Sequence, residues 1–237
     1  MSSEQTWRRF KNILGGLGIA ELIYWAPEYL AELVRHQRDG FDRRHGTDTN
    51  RPTPVSDLGA VGSNRDSAEL YWPVREALFR TMMAAVDLPL DRFTFVDIGC
   101  GKGRAMLLAA ELPFQRVVGV EFSPTLCRVA EANLALVRRT RPAMPPSEVH
   151  CQDATTWDAP AGALLLFLAD PFGPAVLQPV IEKLVANLRA DPRPCRIAYY
   201  FPTHRRVLEA AGFRPVAEQG RNWRMTYPWV VFRGPTG

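Results

Sequence analysis

The chain has 237 residues, 46% hydrophobic and 23% charged, with a net charge of +4. That is the composition of an ordinary globular protein with length for one good core, and it excludes disordered, collagen-like and fibrous chains. Only Lys11, Lys102 and Lys183 of the 29 basic residues are lysines, an arginine bias that fits a GC-rich bacterial genome. No basic run exceeds two or three residues, so the charge does not point to nucleic acid as a partner.

Residues 7 to 34 place Trp7, Phe10, Leu14, Leu17, Ile23 and Leu30 on one apolar face at three- and four-residue steps, which predicts one or two amphipathic helices broken near Pro27. Glu21 inside the apolar stretch and the lack of a small-x-small cleavage site argue against an export signal, and no stretch of ~20 residues is uncharged enough to span a membrane. Packing on its own domain is the favoured reading of this segment; the alternative is a helix lying on a membrane or partner surface. From Phe41 to about Gly62 turn formers dominate, predicting a long ordered loop or lid anchored by Phe41, Val55 and Leu58. Tyr71-Trp72-Pro73-Val74 then opens a helix running to about Val86.

From Arg92 the pattern becomes short apolar runs separated by amphipathic stretches. Strands are predicted at 93–98, 117–122, 148–151, 163–169 and 196–201, with helices near 102–112, 123–139, 174–189 and 204–211. This alternation implies a parallel sheet covered on both faces, the doubly wound class of α/β fold. Two last strands, near 213–218 and 226–232, have no room between them for a crossover helix and must pair antiparallel. The expected division is an N-terminal helical and loop extension over residues 1–90 and a sheet domain over 91–237.

The first strand ends in Asp97-Ile98-Gly99-Cys100-Gly101-Lys102-Gly103 and runs directly into a helix. Open α/β sheets bind ligands at this edge, where glycines allow close backbone approach and a helix start offers free amides. Glu121 ends the second strand, where a carboxylate can accept hydrogen bonds from both hydroxyls of a ribose. A dinucleotide fingerprint needs a third small residue where Arg104 stands, which disfavours a nicotinamide oxidoreductase.

The spelling Val96-Asp97-Ile98-Gly99-Cys100-Gly101-Lys102-Gly103 resembles motif I of the class I S-adenosylmethionine-dependent methyltransferases, and the resemblance extends from about residue 71 to the C-terminus. It implies a Rossmann-like, doubly wound, seven-stranded sheet of order 3-2-1-4-5-7-6 with an antiparallel last strand, and S-adenosylmethionine as cofactor. It implies that Asp97 lies under the methionine end of the cofactor, that the loop from Gly99 through Cys100 and Gly101 to Gly103 wraps it, and that Glu121 holds the ribose. Asp153, with Ala154 beside it, matches the acid that meets the adenine amino group, the alternative being a cap on the next turn. Phe122 is placed to lie against the adenine face, or else belongs to the core.

The fourth strand delivers Asp170-Pro171-Phe172-Gly173-Pro174, similar to the Asp/Asn-Pro-Pro-aromatic motif of amine-directed members but with one proline before the aromatic. Asp170, Pro171 and Phe172 are therefore the expected transfer site, and Asp170 also borders the cofactor; the bland alternative is a strand-to-helix turn capped by Asp170. Phe167 to Val176, together with Tyr71, resembles the corresponding parts of the non-SET histone-lysine methyltransferases, which implies a cofactor contact for Tyr71. Among the scattered histidines only His45, in the lid-like loop, is a candidate general base. The four cysteines stand more than twenty residues apart, so neither a disulfide framework nor a metal cage is expected, and the reducing cytoplasm is the expected compartment. The expected activity is methyl transfer to an amine, on a protein lysine or a small molecule, with a small-molecule O-methyltransferase as the nearer alternative. A non-catalytic cofactor-binding scaffold and an NAD(P)-dependent oxidoreductase are the alternatives from other classes.

Overall fold

The computed structural model describes residues 40–50, 73–220 and 227–235. The amphipathic segment 7–34 and Tyr71 lie outside them. From Phe41 onward the chain forms one compact unit, which begins with a short helix α1 (Phe41–His45) and a longer helix α2 (Glu76–Val86).

The unit is then a regular alternation: β1 (Phe93–Ile98), α3 (Arg104–Ala109), β2 (Arg116–Glu121), α4 (Pro124–Thr140), β3 (Ser147–Cys151), β4 (Ala163–Leu168), α5 (Pro174–Ala190), β5 (Cys195–Tyr200), α6 (Arg205–Ala210), β6 (Arg214–Gln219) and β7 (Trp229–Arg233). The seven strands form one sheet of order β3-β2-β1-β4-β5-β7-β6. β1 pairs parallel with β2 and β4, while β7 runs antiparallel to both β5 and β6. The doubly wound sheet with an antiparallel last strand is thus the observed fold.

All six residues of β1 are buried, as a parallel strand covered on both faces must be. On one face Phe95 and Phe167 stack at 6.0 Å, and Phe79 of α2 meets each ring edge-on at 5.8 and 5.5 Å. Helix α2 therefore belongs to the hydrophobic core of the sheet. On the other face Val96, Ile98, Leu166 and Ile197 pack under α5 and α6. Pro215, which has no amide to give to a ladder, sits in the edge strand β6 beside a register shift at Ala217.

The elements depart from the periodicity in two informative places. Helix α3 starts at Arg104, because Gly103 has φ of +82° and keeps the turn open. The lid-like stretch begins with a helical turn at Phe41–His45, too short for an apolar period to reveal.

Candidate functional site at the carboxyl edge of the sheet

Parallel strands β1, β2 and β4 end together at one edge, and the chemistry-bearing residues collect there. Beyond β1 the backbone turns sharply: Gly99, Gly101 and Gly103 have φ of +79°, +53° and +82°. The amides of Gly99 and Cys100 both bond the carbonyl of Val120, at 2.8 and 3.1 Å, fixing the loop to β2. Both oxygens of Glu121 are engaged with backbone, Oε2 accepting from Gly101 N–H and Oε1 from Ser123 N–H, each at 2.9 Å.

Asp97 and Glu121 are 3% and 4% exposed. Burial, with the neighbouring Glu121 charge adding to it, pushes the Asp97 carboxyl up to about 8. Burial also raises Glu121, although amides of Gly101, Phe122 and Ser123 work against it. Two acids whose ionisation is opposed by burial make a site that gains when a cation arrives. S-adenosylmethionine carries an ammonium and a sulfonium, so this donor set fits that group.

Cys100 occupies the loop but its side chain faces inward. A Cβ built on Gly119 would come within 2.7 Å of Cys100 Sγ, so the thiol is packed over β2. Burial and the adjacent acids Asp97 and Glu121 raise its pKa well above the ordinary thiol range, which leaves it protonated and unreactive.

At the third strand, Asp153 Oδ1 accepts from both the amide and the hydroxyl of Thr155 at 2.8 Å. One carboxylate oxygen therefore shapes the turn after β3. Ala154 is buried against Trp157 in the core, and Phe122 is half-buried after Glu121.

The fourth strand tip is tightly constrained. Asp170 has φ of +50°, unusual for a residue with a side chain. Its Oδ1 accepts from the Tyr199 hydroxyl and its Oδ2 from the Thr203 hydroxyl, both at 2.8 Å. Phe201, just beyond β5, is a second left-handed residue, with φ of +56°. Pro171 lies so close to the glycine loop that a Cβ on Gly99 would stand 2.5 Å from Pro171 Cβ. Phe172 is half-buried against the core. Residues carrying β1 and β4 chemistry thus touch directly.

Three placements correct or extend the sequence reading. His45 is stacked on Phe41 with ring centroids 4.4 Å apart and lies 3.9 Å from Glu111, beyond the C-terminal end of α3. His45 is thus engaged with Phe41 and Glu111, and burial and nearby Arg141 lower its pKa. A tyrosine inside an apolar strand reads as core filling, so the sequence carries no signal for the roles of Tyr199 and Thr203. The aspartate they hold lies 29 and 33 residues earlier in the chain. Among the described residues no cluster of His, Cys, Asp and Glu could hold a metal ion, and no helix is long and apolar enough to cross a membrane.

Residues 95–190 match the family model of a methyltransferase domain. No curated protein matches the chain. Among solved structures, magnesium protoporphyrin IX methyltransferase of Synechocystis PCC 6803 with bound S-adenosylmethionine is 13% identical over 85% of this chain and 95% of its own, with a TM-score of 0.52. The 1,6-didemethyltoxoflavin-N1-methyltransferase of Burkholderia thailandensis is 20% identical over 67% of this chain and 78% of its own, at a TM-score of 0.47. A TehB-like methyltransferase of Corynebacterium glutamicum is 16% identical over 65% and 86%, also at 0.47. At such identities the likeness to solved structures is one of fold. The methyltransferase-domain match covers β1 through α5, the segment that carries the glycine loop, both buried acids and the β4 tip, and the sheet around it has the Rossmann-like order 3-2-1-4-5-7-6 of the S-adenosylmethionine-dependent methyltransferase fold.

Proposed function

We propose that the chain transfers a methyl group to an amine nitrogen, of a protein lysine or a small molecule, at the tip of β4. The observation that carries this reading is Asp170: an acid held in a left-handed backbone by two hydroxyls, next to the contact between Pro171 and Gly99. Strain of this kind costs of order 1–3 kcal/mol and is retained where a fixed geometry is useful.

S-adenosylmethionine supplies an electrophilic methyl carbon on a positively charged sulfur. Glu121 is the ribose partner in this reading; each of its oxygens keeps a lone pair beyond the backbone amide it already accepts. Asp97 receives the ammonium end, and its raised pKa means that it gives up a proton as that cation binds. Gly99, Gly101 and Gly103 keep the loop free of side chains along the cofactor, while Cys100 contributes backbone only. Asp153 and Ala154 border the adenine, with the second oxygen of Asp153 toward its amino group and Phe122 against its face. Tyr71 is assigned to the same pocket from sequence alone.

On the acceptor side, Asp170 and the carbonyl of Pro171 orient the nitrogen and Phe172 packs beside it. The nitrogen lone pair forms the new N–C bond as the methyl–sulfur bond breaks, and the displaced pair stays on sulfur. The nitrogen then releases its proton to water. Alignment supplies most of the acceleration in such an in-line displacement. A hydroxyl acceptor is the second reading, favoured by Asp170 being a carboxylate, which can take up the proton an alcohol must lose. The four free cysteines suit a reducing compartment, so the cytoplasm is the assigned location.

Calorimetry with S-adenosylhomocysteine tests the cofactor half: wild type binds, and Glu121→Ala binds at least about tenfold more weakly. No binding by wild type, or unchanged binding by the variant, overturns the assignment. Methyl-labelled cofactor incubated with a knockout extract then identifies the acceptor; label in a base-stable methyl ether, the product of a hydroxyl acceptor, or in a base-labile ester, rather than on nitrogen, would overturn the amine reading.

A further inference from the structure

Residues 41–50 form a compact polar knot bonded to the glycine loop and the start of α3. Asp42 is its centre: Oδ1 accepts from the hydroxyls of Thr47 and Thr49, at 2.8 and 2.6 Å, and Oδ2 from the amides of Thr49 and Asn50, at 2.9 and 2.7 Å. The knot is joined to the loop in three places. Arg104, first residue of α3 and 1% exposed, donates to the Thr49 hydroxyl at 3.0 Å while its guanidinium lies 4.5 Å above the Phe41 ring. Lys102, at 4% exposure, donates its ammonium to Asp48 Oδ2 at 3.1 Å. Asn133 of α4 completes the joint: its Oδ1 accepts the Asp48 amide at 3.0 Å, and its Nδ2 donates to the carbonyls of Asp48 and Lys102 at 3.2 and 3.0 Å.

A lysine and an arginine in a loop of this kind are ordinarily free to meet an anionic ligand. Here both are buried and engaged by the knot, Lys102 with Asp48 and Arg104 with Thr49. The peptide between them, carrying the left-handed Gly103, is therefore held on both sides. Gly103 itself has no slack, because a Cβ there would come within 3.2 Å of Ala130 in α4.

We propose that residues 41–50 are a clasp that sets the shape of the glycine loop, so that cofactor affinity depends on Asp48 and Thr49 although neither touches the cofactor. This rests on the methyltransferase reading given above. The clasp residues are positioning residues: they act through Lys102 and Arg104 on the loop backbone. Because the matched methyltransferase domain starts at residue 95, the clasp makes a cofactor site depend on a segment outside that domain.

The test pairs binding with loop protection. Thr49→Val removes the hydroxyl shared by Asp42 and Arg104, and Asp48→Ala removes the partner of Lys102 from a side chain that is 47% exposed, so the fold tolerates at least the second. Both variants are expected to bind S-adenosylhomocysteine about tenfold more weakly than wild type, within the usual range of coupling between sites. Hydrogen exchange at the amides of Gly101, Gly103 and Arg104 is expected to speed up by a similar factor, while amides in β4 and β5 keep their wild-type rates. Unchanged affinity and unchanged loop exchange in a folded Asp48→Ala protein overturn the clasp. Uniformly faster exchange through β4 and β5 also overturns it, because that is global destabilisation. If wild type itself fails to bind, the methyltransferase reading falls with it, whereas binding by wild type with equal binding by the variants sinks the clasp alone.

Discussion

The Tyr199 hydroxyl donates to Oδ1 of Asp170 at 2.8 Å, tying the end of β5 to the tip of β4. Tyr199 is completely buried, and its oxygen also accepts the His204 amide at 3.4 Å. Strand β5 thereby fixes where the Asp170 carboxylate at the tip of the neighbouring strand stands.

Tyr199→Phe keeps the ring and deletes that donor. Loss of a hydrogen bond to a half-buried acceptor costs about 0.5–1.5 kcal/mol, and the left-handed Asp170 loses one of the two hydroxyl bonds that hold it. Methyl transfer from labelled cofactor into extract is expected to fall at least about tenfold, since small misplacements of an aligned group are costly. Affinity for S-adenosylhomocysteine, measured in parallel, stays at the wild-type value. A joint loss of both would assign Tyr199 to general folding.

Gly99→Ala is expected to be severely destabilising. The left-handed backbone alone costs about 1–2 kcal/mol for a residue with a Cβ, and the new methyl would stand 2.5 Å from Pro171 Cβ. Gly162 has φ of +87° with open space around it, so Gly162→Ala pays for the backbone only. Urea denaturation of the two variants separates the terms: Gly99→Ala loses about 3 kcal/mol or more, Gly162→Ala about 1.

Stability should depend on pH through Asp97. The unfolded chain releases this proton near the ordinary carboxylate value of 3.8, whereas the folded protein keeps it up to about 8. Between those values the native state binds more protons than the unfolded state, so unfolding free energy falls as pH rises from about 4 to about 8 and levels off above. Glu121, also raised by burial, adds in the same direction. Asp97→Asn stays neutral and should flatten the difference between urea midpoints at pH 5 and pH 8. Binding of S-adenosylhomocysteine at pH 7 should release a proton, read by calorimetry in buffers of different ionisation enthalpy; Asp97→Asn should lose that release.

Arg193 fastens the chain between α5 and β5. At 7% exposure it donates to the carbonyl of Asp191 at 2.8 Å and to that of Pro160 at 3.0 Å. Arg193→Ala should lower stability by about 2 kcal/mol in urea, because those carbonyls lose their donor. Arg193→Lys should recover less than half, a single ammonium being unable to reproduce the forked geometry.

Much of this architecture is written locally. Apolar runs such as Ala163 to Leu168 announce buried parallel strands, and the short connection between β6 and β7 allows only antiparallel pairing. The glycine loop and Glu121 stand out because a strand, a turn and an acid recur at fixed spacing. What is not written locally is who holds these groups. Arg104 looks like a surface residue opening a helix, yet it is buried and bonded to a threonine 55 residues earlier. Asp42 sits among turn formers and charged neighbours, where its role as acceptor for four later groups leaves no period. Asp170 was legible by its neighbours in sequence, but the hydroxyls that fix it come from the next strand, and no pattern along the chain joins them.

The contact between Gly99 and Pro171 bears on how this enzyme can diversify. Where the ring of Pro171 lies against a residue without a side chain, the spacing of the two strand tips is set by that close approach, and on the proposed function it gauges the distance from donor carbon to acceptor atom. Acceptor choice can then drift through substitutions around Phe172 and on the β5 side without resetting the alignment of the displacement. A change of substrate in this scaffold should therefore require few residues, provided that the glycine at position 99 stays.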